Sequence, residues 1–330
     1  MDQFTVYRIH ATGDQVTAGF EQSTLDALSP GDVVIRVAYS SINYKDALAA
    51  TGAGKILRTS PLIGGIDLSG TVVSSQDKRF RPGDAVLVTG SGLSETRDGG
   101  YAEYARVPGD AVIGLPEGLD LRTAMAVGTA GFAAALGIHK MELLGLKPGQ
   151  GPVVVTGASG GVGGLAIDML SARGHEVVAV SGKASLDEYL RSLGATRILR
   201  RQEIDLGTRP LERALWAGAV DNLGGDVLAW LTRTVDMNGS IACIGLAGGA
   251  DLKTTVMPFI LRGVNLVGVN SSATAREPRL ALWQRIATDL KPRHFDRVIT
   301  REIAFDELPA AFADYIGGRN HGRTIVRVGL

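Results

Sequence analysis

Residues 153–164 have the sequence VVVTGASGGVGG, and this stretch decides the fold. Three valines predict a buried strand, the glycine-rich residues predict a tight turn, and the apolar spacing that follows predicts a helix. A helix that begins at such a turn presents free backbone N–H groups and the positive end of its dipole. The stretch is therefore typical of a dinucleotide-binding loop, in which Gly160 lies against the pyrophosphate and Gly163 lets the helix pack on its strand.

The loop departs in one position from the usual fingerprint, because Ala158 stands where the first glycine normally lies. A tight turn without a ligand is the alternative interpretation. The order of strand, turn, helix and next strand favours a binding loop, because the fingerprint requires that context. The residues predicted to contact the phosphates are Ser159, Gly160, Gly161 and Val162.

The chain around the loop alternates between strands and amphipathic helices. Such alternation predicts a doubly wound parallel sheet of Rossmann type. Helices are expected at 163–173 and 185–193. The expected strands are 152–156, 176–181, 195–199, 218–222, 240–245 and 265–270.

The first third of the chain has a different pattern, with short strand-like runs separated by Pro-Gly and Gly-Gly pairs. Runs at 32–39, 70–74, 85–89 and 101–107 predict an antiparallel, all-β, barrel-like region. A long helix is expected at 121–144.

The last sixty residues predict two helices and two strands. We assign them to the first domain, because the parallel sheet already has six strands. The fold class is therefore α/β, with a β-rich domain at 1–124 and 271–330 and a Rossmann domain at 125–270. The expected C-terminal elements are a helix at 278–290, a strand at 298–303, a helix at 307–316 and a strand at 324–328.

Composition excludes several classes of protein. Lys plus Arg and Asp plus Glu both number 34, so the net charge of +0 gives no electrostatic attraction for nucleic acid or an anionic membrane. One cysteine, Cys243, permits neither a disulfide framework nor a four-cysteine zinc site, and five scattered histidines show no ligand spacing. Residues 1–10 contain no apolar segment of the kind found in a secretory signal peptide, and the apolar run at 124–138 is too short to span a bilayer. We therefore expect a cytoplasmic protein without a membrane or metal.

The second strand of the predicted sheet ends in Ser181-Gly182-Lys183. An NAD-binding protein would place a carboxylate there for the ribose 2′-hydroxyl, and that carboxylate would repel a 2′-phosphate. No carboxylate is present; Lys183 supplies a positive charge, and Arg200 and Arg201 follow the third strand with guanidinium groups suited to a phosphate. These residues predict NADPH as the cofactor. Ordinary solvated surface charges are the alternative.

A β-rich N-terminal domain, a Rossmann domain and a C-terminal return resemble the medium-chain dehydrogenase/reductase superfamily over essentially the whole chain. This resemblance implies a GroES-like fold for the first domain. Zinc-dependent members bind metal through a catalytic cysteine and a Gly-His-Glu run. The matching positions here are Asn43-Tyr44-Lys45-Asp46 and Gly65-Ile66-Asp67, so the resemblance implies a zinc-free branch.

Within that branch the sequence is similar to the acryloyl-CoA reductase (NADPH) family, which also contains proteins named quinone oxidoreductases. The segments that carry this similarity are 41–46 (SINYKD), 128–132 (GTAGF), 156–163 (TGASGGVG), 216–219 (WAGA) and 254–262 (TTVMPFILR). Beyond the residues already named for the cofactor, the resemblance implies that it is lined by Tyr44, Leu246, Ile260, Ser271 and Asn320.

The implied reaction is reduction of the carbon–carbon double bond of a short 2-enoyl-CoA, by hydride transfer without metal. The protein must then fix the geometry of the reactants and stabilise the enolate. Tyr44 is expected to orient the nicotinamide or substrate, with Asn43 as an amide donor and Thr129 beside the nicotinamide. The alternative for both residues is structural: the ring of Tyr44 is packed, and the amide of Asn43 closes a turn. Asp46 and Asp67 are expected to be a buried pair that fixes turns.

Two other functions remain open from the sequence. The first is NADPH:quinone reduction, which needs an apolar slot rather than a basic entrance for coenzyme A; Lys55 and Arg97 could contribute to such an entrance. Residues 96–98 (TRD) depart from the family pattern, which bears on acyl preference. The second is a non-catalytic NADPH-sensing protein. The sixth strand of the sheet could form an edge that pairs in a homodimer.

Overall fold

The computed structural model describes residues 3–329, which form two compact units. The first contains the described residues up to Thr129, Ser272–Ala287 and those from Ile299 onward; the second contains Ala130–Ser271 and Thr288–Val298. Met1 and Asp2, part of the segment used above to exclude a signal sequence, lie outside the described residues.

The elements follow one another along the chain in three groups. Residues 3–143 form β1 (Phe4–Thr12), β2 (Gln15–Ser23), β3 (Val33–Ile42), α1 (Tyr44–Thr51), β4 (Leu62–Ile63), β5 (Asp67–Ser75), β6 (Ala85–Thr89), β7 (Tyr104–Val107), β8 (Ile113–Gly114) and α2 (Leu121–Leu143). Residues 144–271 form β9 (Val153–Val155), α3 (Gly161–Ala172), β10 (Val177–Ser181), α4 (Asp187–Ser192), β11 (Ala195–Arg200), β12 (Trp216–Asp221), α5 (Gly225–Thr234), β13 (Val235–Cys243), α6 (Met257–Arg262) and β14 (Asn265–Gly268). Residues 272–329 form α7 (Arg276–Ala287), α8 (Phe295–Val298), β15 (Ile299–Ala304), α9 (Leu308–Ile316) and β16 (Arg323–Arg327).

The second unit is built on a six-stranded parallel sheet with the order β11-β10-β9-β12-β13-β14. This is the usual doubly wound order: β9, β10 and β11 are added towards one side of the sheet, and β12, β13 and β14 towards the other. Apolar residues of β9, β10 and β12 pack with α5 in a buried core that includes Trp216 and Trp230. The sheet confirms the predicted Rossmann architecture, and its carboxyl-terminal edge is the side at which such sheets bind ligands.

The first unit contains a seven-stranded sheet, β15-β16-β3-β5-β6-β8, with β7 also paired to β3, and a three-stranded sheet, β2-β1-β4. The C-terminal strand β16 pairs with β3 in antiparallel register, so Thr324 lies opposite Ile42. Two apolar cores fill this unit, one around Val33, Ile35 and Val88 and one around Tyr101 and Phe312. The pairing of β16 with β3 determines what surrounds the end of β3, where α1 begins.

The structure corrects the expectation of an all-β first region, because α1 follows β3 directly. Asn43 caps this helix and Asp46 occupies its third position, where the Asp46 carboxylate accepts the backbone N–H of Asn43 and the Asp46 N–H donates to the Asn43 backbone carbonyl. That capping box is a helix start signal. Gly52, with φ of 71°, ends the helix in the left-handed conformation that glycine adopts without strain. The strands β1 and β2, which the sequence analysis did not place, pair over nine residues each.

Three further boundaries differ from the expected ones. Strand β13 begins at Val235 rather than 240; the exposed residues 236–238 interrupt the apolar run, and the pairing with β12 shifts register between Val235 and Ser240. Strand β7 begins at Tyr104 rather than 101. Residues 288–298, assigned above to the first domain with the rest of the C-terminal return, lie in the second unit. There the Asp168 carboxylate accepts the backbone N–H of His294, and Arg293 donates to the carbonyl of Ala172.

Helix α2 is apolar and long enough to cross a membrane by length and composition, alone among the helices of residues 3–329. In its most apolar window, 78% of the residues are buried inside the protein, as in a core helix. The helix is not continuous, because Gly128 has φ of 49° and ψ of −157°. This break turns the backbone N–H of Thr129 away from the helix and towards the Asp67 carboxylate.

Gly128→Ala should therefore lower the free energy of unfolding by more than backbone strain alone would lower it. A Cβ atom at this position would lie 2.6 Å from Oδ2 of Asp67 and 2.7 Å from a guanidinium nitrogen of Arg323. Gly145→Ala is the matched control, since Gly145 also has a positive φ, 98°, but its Cβ would meet no atom within 4 Å. The control should lose about 1–3 kcal/mol of unfolding free energy, and Gly128→Ala should lose roughly 2 kcal/mol more. Urea unfolding measures both; equal losses would contradict the prediction.

Candidate active site

The glycine-rich loop lies where the predicted dinucleotide site requires it, between β9 and α3. Gly157 has φ of 57°, and the N–H of Gly160 donates to its carbonyl at 3.0 Å. A Cβ on Gly163 would lie 2.4 Å from that same carbonyl oxygen, so only glycine permits this close packing. Helix α3 begins at Gly161 with no side-chain cap, which leaves its first backbone N–H groups for an anion. Residues 159–162 are partly exposed, whereas the rest of α3 up to 170 is buried.

The residues predicted to hold a 2′-phosphate lie beyond the carboxyl ends of the neighbouring strands. Ser181 ends β10, is buried, and accepts the backbone N–H of Lys183 at 3.1 Å. Lys183 is half-buried, and burial lowers the pKa of its ammonium group. Arg201 is exposed and follows β11, which pairs with β10 so that Arg200 lies opposite Ser181. Because both strands run in the same direction, Lys183 and Arg201 extend from the same edge of the sheet.

Arg200 does not have the role that the sequence analysis gave it. Its guanidinium forms two hydrogen bonds with both carboxylate oxygens of Asp187, at the start of α4. This pair lowers the pKa of Asp187 and raises that of Arg200. Arg200 is therefore committed to a carboxylate rather than available to a phosphate, and it neutralises the negative charge of Asp187 close to Lys183.

Two buried polar residues, which the sequence analysis did not identify, fix the carboxyl ends of β9 and β12. The hydroxyl of Thr156 donates to Asp221 at 2.6 Å and accepts the backbone N–H of Asn222 at 2.9 Å. The Asp221 carboxylate also accepts the N–H groups of Leu223 and Gly224, and burial raises its pKa. These bonds hold the glycine-rich loop against the turn after β12. Their sequence signal is a polar residue at the end of each of two apolar strands.

In the first unit, the capping box places Tyr44 at the surface. The Asp46 carboxylate accepts the backbone N–H of Asn43 at 2.8 Å and that of Ile66 at 2.9 Å, which joins the start of α1 to the residue before β5. Tyr44 is the first residue of α1, and its side chain is 51% exposed, an unusual position for a tyrosine that only stabilises a core. The backbone that carries Tyr44 is thus fixed while its ring remains accessible.

Asn43 and Thr129, both predicted as catalytic, meet at one buried carboxylate. Asp67 is 0% exposed and accepts hydrogen bonds from the Asn43 amide at 2.7 Å, the Thr129 hydroxyl at 2.6 Å and the Ser41 hydroxyl at 2.7 Å. The backbone N–H of Thr129 donates to it as well. The Thr129 hydroxyl proton is therefore used inside the protein, and only its oxygen lone pairs remain for another donor.

Arg323 completes this cluster and corrects the role expected of Asn43. Its guanidinium donates to Oδ1 of Asn43 at 3.1 Å and to the Ser41 hydroxyl at 2.8 Å, and lies 3.8 Å from the Asp67 carboxylate. The Asn43 amide nitrogen donates to Asp67 and, at 3.3 Å, to Asp46. Both ends of the amide are thus occupied within the protein, so Asn43 positions the helix start instead of donating to a substrate.

Burial and the charge of Asp67 raise the pKa of Asp46 to about 7, against the opposing effect of the hydrogen bonds from Asn43 and Ile66. Burial likewise raises the pKa of Tyr101, whose hydroxyl donates to the carbonyl of Ser41. The contacts of Asp46 and Asp67 agree with the expectation that they fix turns. Within residues 3–329, no cluster of three or more His, Cys, Asp or Glu side chains is arranged to hold a metal ion.

The residues implied by resemblance alone fall in both units. Leu246 follows β13 and is 68% exposed, and Ile260 in α6 is 73% exposed. Exposed apolar side chains of this size are candidates for contact with a ligand or a partner. Ser271 is the last residue of the second unit before α7, and Asn320 is a half-buried residue of the first unit in the turn before β16.

Two family models match the chain. Residues 29–117 match the family described as alcohol dehydrogenase GroES-like domain, and residues 161–287 match the family described as zinc-binding dehydrogenase. The first match confirms the expected GroES-like fold of the β-rich domain.

Individual relatives match over nearly the whole chain. The Escherichia coli K12 protein named "Probable acrylyl-CoA reductase AcuI" is 50% identical over 92% of this chain and 94% of its own. The Bacillus subtilis protein named "Putative quinone oxidoreductase YhfP" is 45% identical over 98% of this chain and 99% of its own, and its structure with NAD bound has a TM-score of 0.96. An E. coli K-12 structure titled YHDH with bound NADPH is 47% identical, covers 98% of this chain and 100% of that chain, and has a TM-score of 0.94.

The chain belongs to the medium-chain dehydrogenase/reductase superfamily. Within that superfamily it is similar, over nearly its full length, to proteins named acrylyl-CoA reductase and quinone oxidoreductase.

Proposed function

We propose that this protein is an NADPH-dependent oxidoreductase that reduces the carbon–carbon double bond of a short 2-enoyl-CoA, acryloyl-CoA to propanoyl-CoA. The observation that carries the proposal is the glycine-rich loop, in which Gly163 packs closely against Gly157, together with Ser181 and Lys183 at the end of the next strand. The chain that contains this loop is 50% identical to a protein named as a probable acrylyl-CoA reductase. The cofactor supplies a hydride for the β-carbon, the α-carbon takes a proton, and NADPH becomes NADP⁺.

The residues of the second unit fit this cofactor. The uncapped start of α3 suits a pyrophosphate, because it combines free N–H groups with the positive end of the helix dipole. Lys183 and Arg201 supply positive charge for a 2′-phosphate, and Arg200 removes the repulsion that Asp187 would exert. Leu246, Ile260 and Ser271 are assigned to cofactor contact on resemblance.

The residues of the first unit are assigned to orientation. Tyr44 carries the exposed hydroxyl that orients the nicotinamide or the substrate, and Asn43 and Asp46 are positioning residues that fix the start of α1. Thr129 can accept a hydrogen bond at its oxygen while it donates to Asp67. Asn320 is assigned to cofactor contact on resemblance.

The protein is further proposed to be a cytoplasmic homodimer. Strand β14 stands at the end of the six-stranded sheet, and within residues 3–329 it pairs with β13 alone. Leu266 in this strand is 37% exposed, and Leu261 just before it is 57% exposed. An apolar, unpaired edge is suited to pairing with a second copy across a two-fold axis.

The decisive experiment follows NADPH absorbance with acryloyl-CoA, crotonyl-CoA and a soluble quinone in parallel. We expect rapid oxidation of NADPH with acryloyl-CoA and slow or no oxidation with the quinone. Turnover with the quinone alone would overturn the proposal in favour of quinone reduction. Tight NADPH binding without turnover of any acceptor would favour the sensing function instead.

Cofactor preference should depend on Lys183. Wild-type protein should use NADPH with a kcat/KM at least about tenfold above that for NADH, because a charge-assisted contact to the 2′-phosphate is worth roughly 1.4 kcal/mol or more. Lys183→Ala should lose most of that ratio by raising the KM for NADPH. Lys147→Ala is the control, since this exposed lysine precedes β9 at the opposite edge of the sheet. A wild-type ratio near unity would contradict the assignment.

Tyr44→Phe should lower kcat/KM with acryloyl-CoA by about tenfold while leaving the melting temperature unchanged, because the ring is exposed and only a hydroxyl is lost. Tyr104→Phe is the matched control: Tyr104 lies in the same unit and packs edge-to-face on Phe4. Steady-state kinetics and thermal unfolding of the two variants make the comparison. Unchanged kinetics in Tyr44→Phe would remove Tyr44 from the catalytic residues.

A further inference from the structure

A cavity of about 330 Å³ lies in the first unit beside the start of α1, lined by Lys45, Lys55, Ile56, Leu57, Arg58 and Glu95. Three of these side chains are cationic and one is anionic, which leaves a net positive charge of two on a chain whose formal net charge is +0. The sequence analysis named Lys55 for a basic entrance but did not identify Lys45 or Arg58, and Arg97 is not among the lining residues.

The positive charge of this cavity is only partly neutralised by carboxylates of the chain. Glu95 forms an ion pair with Lys45. Among residues 3–329, neither Lys55 nor Arg58 forms an ion pair, and both are exposed. Elsewhere on the surface, arginines such as Arg79 and Arg209 are paired with carboxylates. Lys55 and Arg58 are therefore left to an anion from outside the chain.

The loop that carries these cations, residues 52–61, is held in place. The backbone N–H of Arg58 donates to the carbonyl of Glu95 at 2.7 Å, and that of Ala11 donates to the Ser60 hydroxyl at 2.7 Å. Ile56 and Leu57 are partly buried and pack against the core of the first unit. A loop whose backbone is already held binds an anion at lower entropic cost than a mobile one, because less chain has to be ordered on binding.

One lining residue, Lys45, directly follows the proposed catalytic Tyr44 on α1. A larger cavity of about 460 Å³ in the same unit is lined by Glu103 and Asp306 with one cation, Arg327, so its charge does not suit an anion. We infer that the cavity formed by Lys45, Lys55 and Arg58 binds the phosphate groups of the coenzyme A portion of the substrate. This inference rests on the proposed reduction of an acyl-CoA.

Phosphates on a substrate handle contribute binding energy without taking part in the reaction. The inference therefore predicts a difference between acryloyl-CoA and acryloyl-pantetheine, which carries the same thioester without phosphates. Wild-type protein should show a KM about tenfold or more higher for acryloyl-pantetheine. In the double variant Lys55→Ala, Arg58→Ala, the KM for acryloyl-CoA should rise about tenfold, with kcat and the KM for acryloyl-pantetheine unchanged.

Lys78→Ala is the control, because Lys78 is an exposed lysine of the same unit that does not line the cavity. It should leave the kinetics with both substrates unchanged. Added NaCl should raise the KM of wild-type protein for acryloyl-CoA more than that of the double variant, because the contact is exposed and screened by salt. Equal KM values of wild-type protein for the two thioesters, or an equal rise for both in the double variant, would overturn the inference.

Calorimetric titration with coenzyme A separates this inference from the proposed function. Binding to wild-type protein that weakens about tenfold in the double variant supports the subsite even if no thioester is reduced. Equal binding to both proteins, or none to either, overturns it even if acryloyl-CoA is reduced.

Discussion

The carboxylate of Asp67, fully buried at the start of β5, is the constraint on which the first unit depends. A buried charge is costly unless it is surrounded by donors, and here Ser41, Asn43, Thr129 and Arg323 supply them. These residues come from three separate parts of the chain, so satisfying one carboxylate fixes the junction of β3 and α1, the break in α2 and the C-terminal strand together. Removing it would leave the buried Arg323 without its counter-charge.

The sequence predicts the dinucleotide loop well because its determinants are local. A strand, a glycine turn and a helix start within twelve consecutive residues, and the conformations of Gly157 and Gly163 follow from their immediate neighbours. The positions of the six parallel strands follow for the same reason, since each is a short apolar run between turn signals. The start of β13 does not follow in this way, because Val235 pairs with Trp216 across a register shift that exposed residues separate from the apolar run.

The contacts that occupy Asn43 and Arg200 could not be predicted from the sequence, because they join groups that are separated along the chain. Arg323 donates to the Asn43 amide oxygen, and the Asn43 amide nitrogen donates to Asp67. Arg323 also donates to Ser41, which is 282 residues away in the sequence. Nothing near Arg200 in the sequence indicates that its guanidinium pairs with Asp187 rather than with a ligand. The same limit applies to the basic cavity. Lys45 lies in α1 and Arg58 in the loop that follows it, and only the fold places both side chains at the same cavity.

The ion pair between Arg200 and Asp187 has a consequence for how cofactor choice could change. A carboxylate near the end of β10 is the group that accepts a hydrogen bond from a ribose 2′-hydroxyl and repels a 2′-phosphate. The nearest carboxylate in sequence, Asp187, lies six residues beyond the end of β10, and its bidentate contact with Arg200 balances its charge. One internal ion pair thus keeps a free negative charge away from the segment that follows β10, and a substitution of Arg200 would uncover that charge without touching the glycine-rich loop.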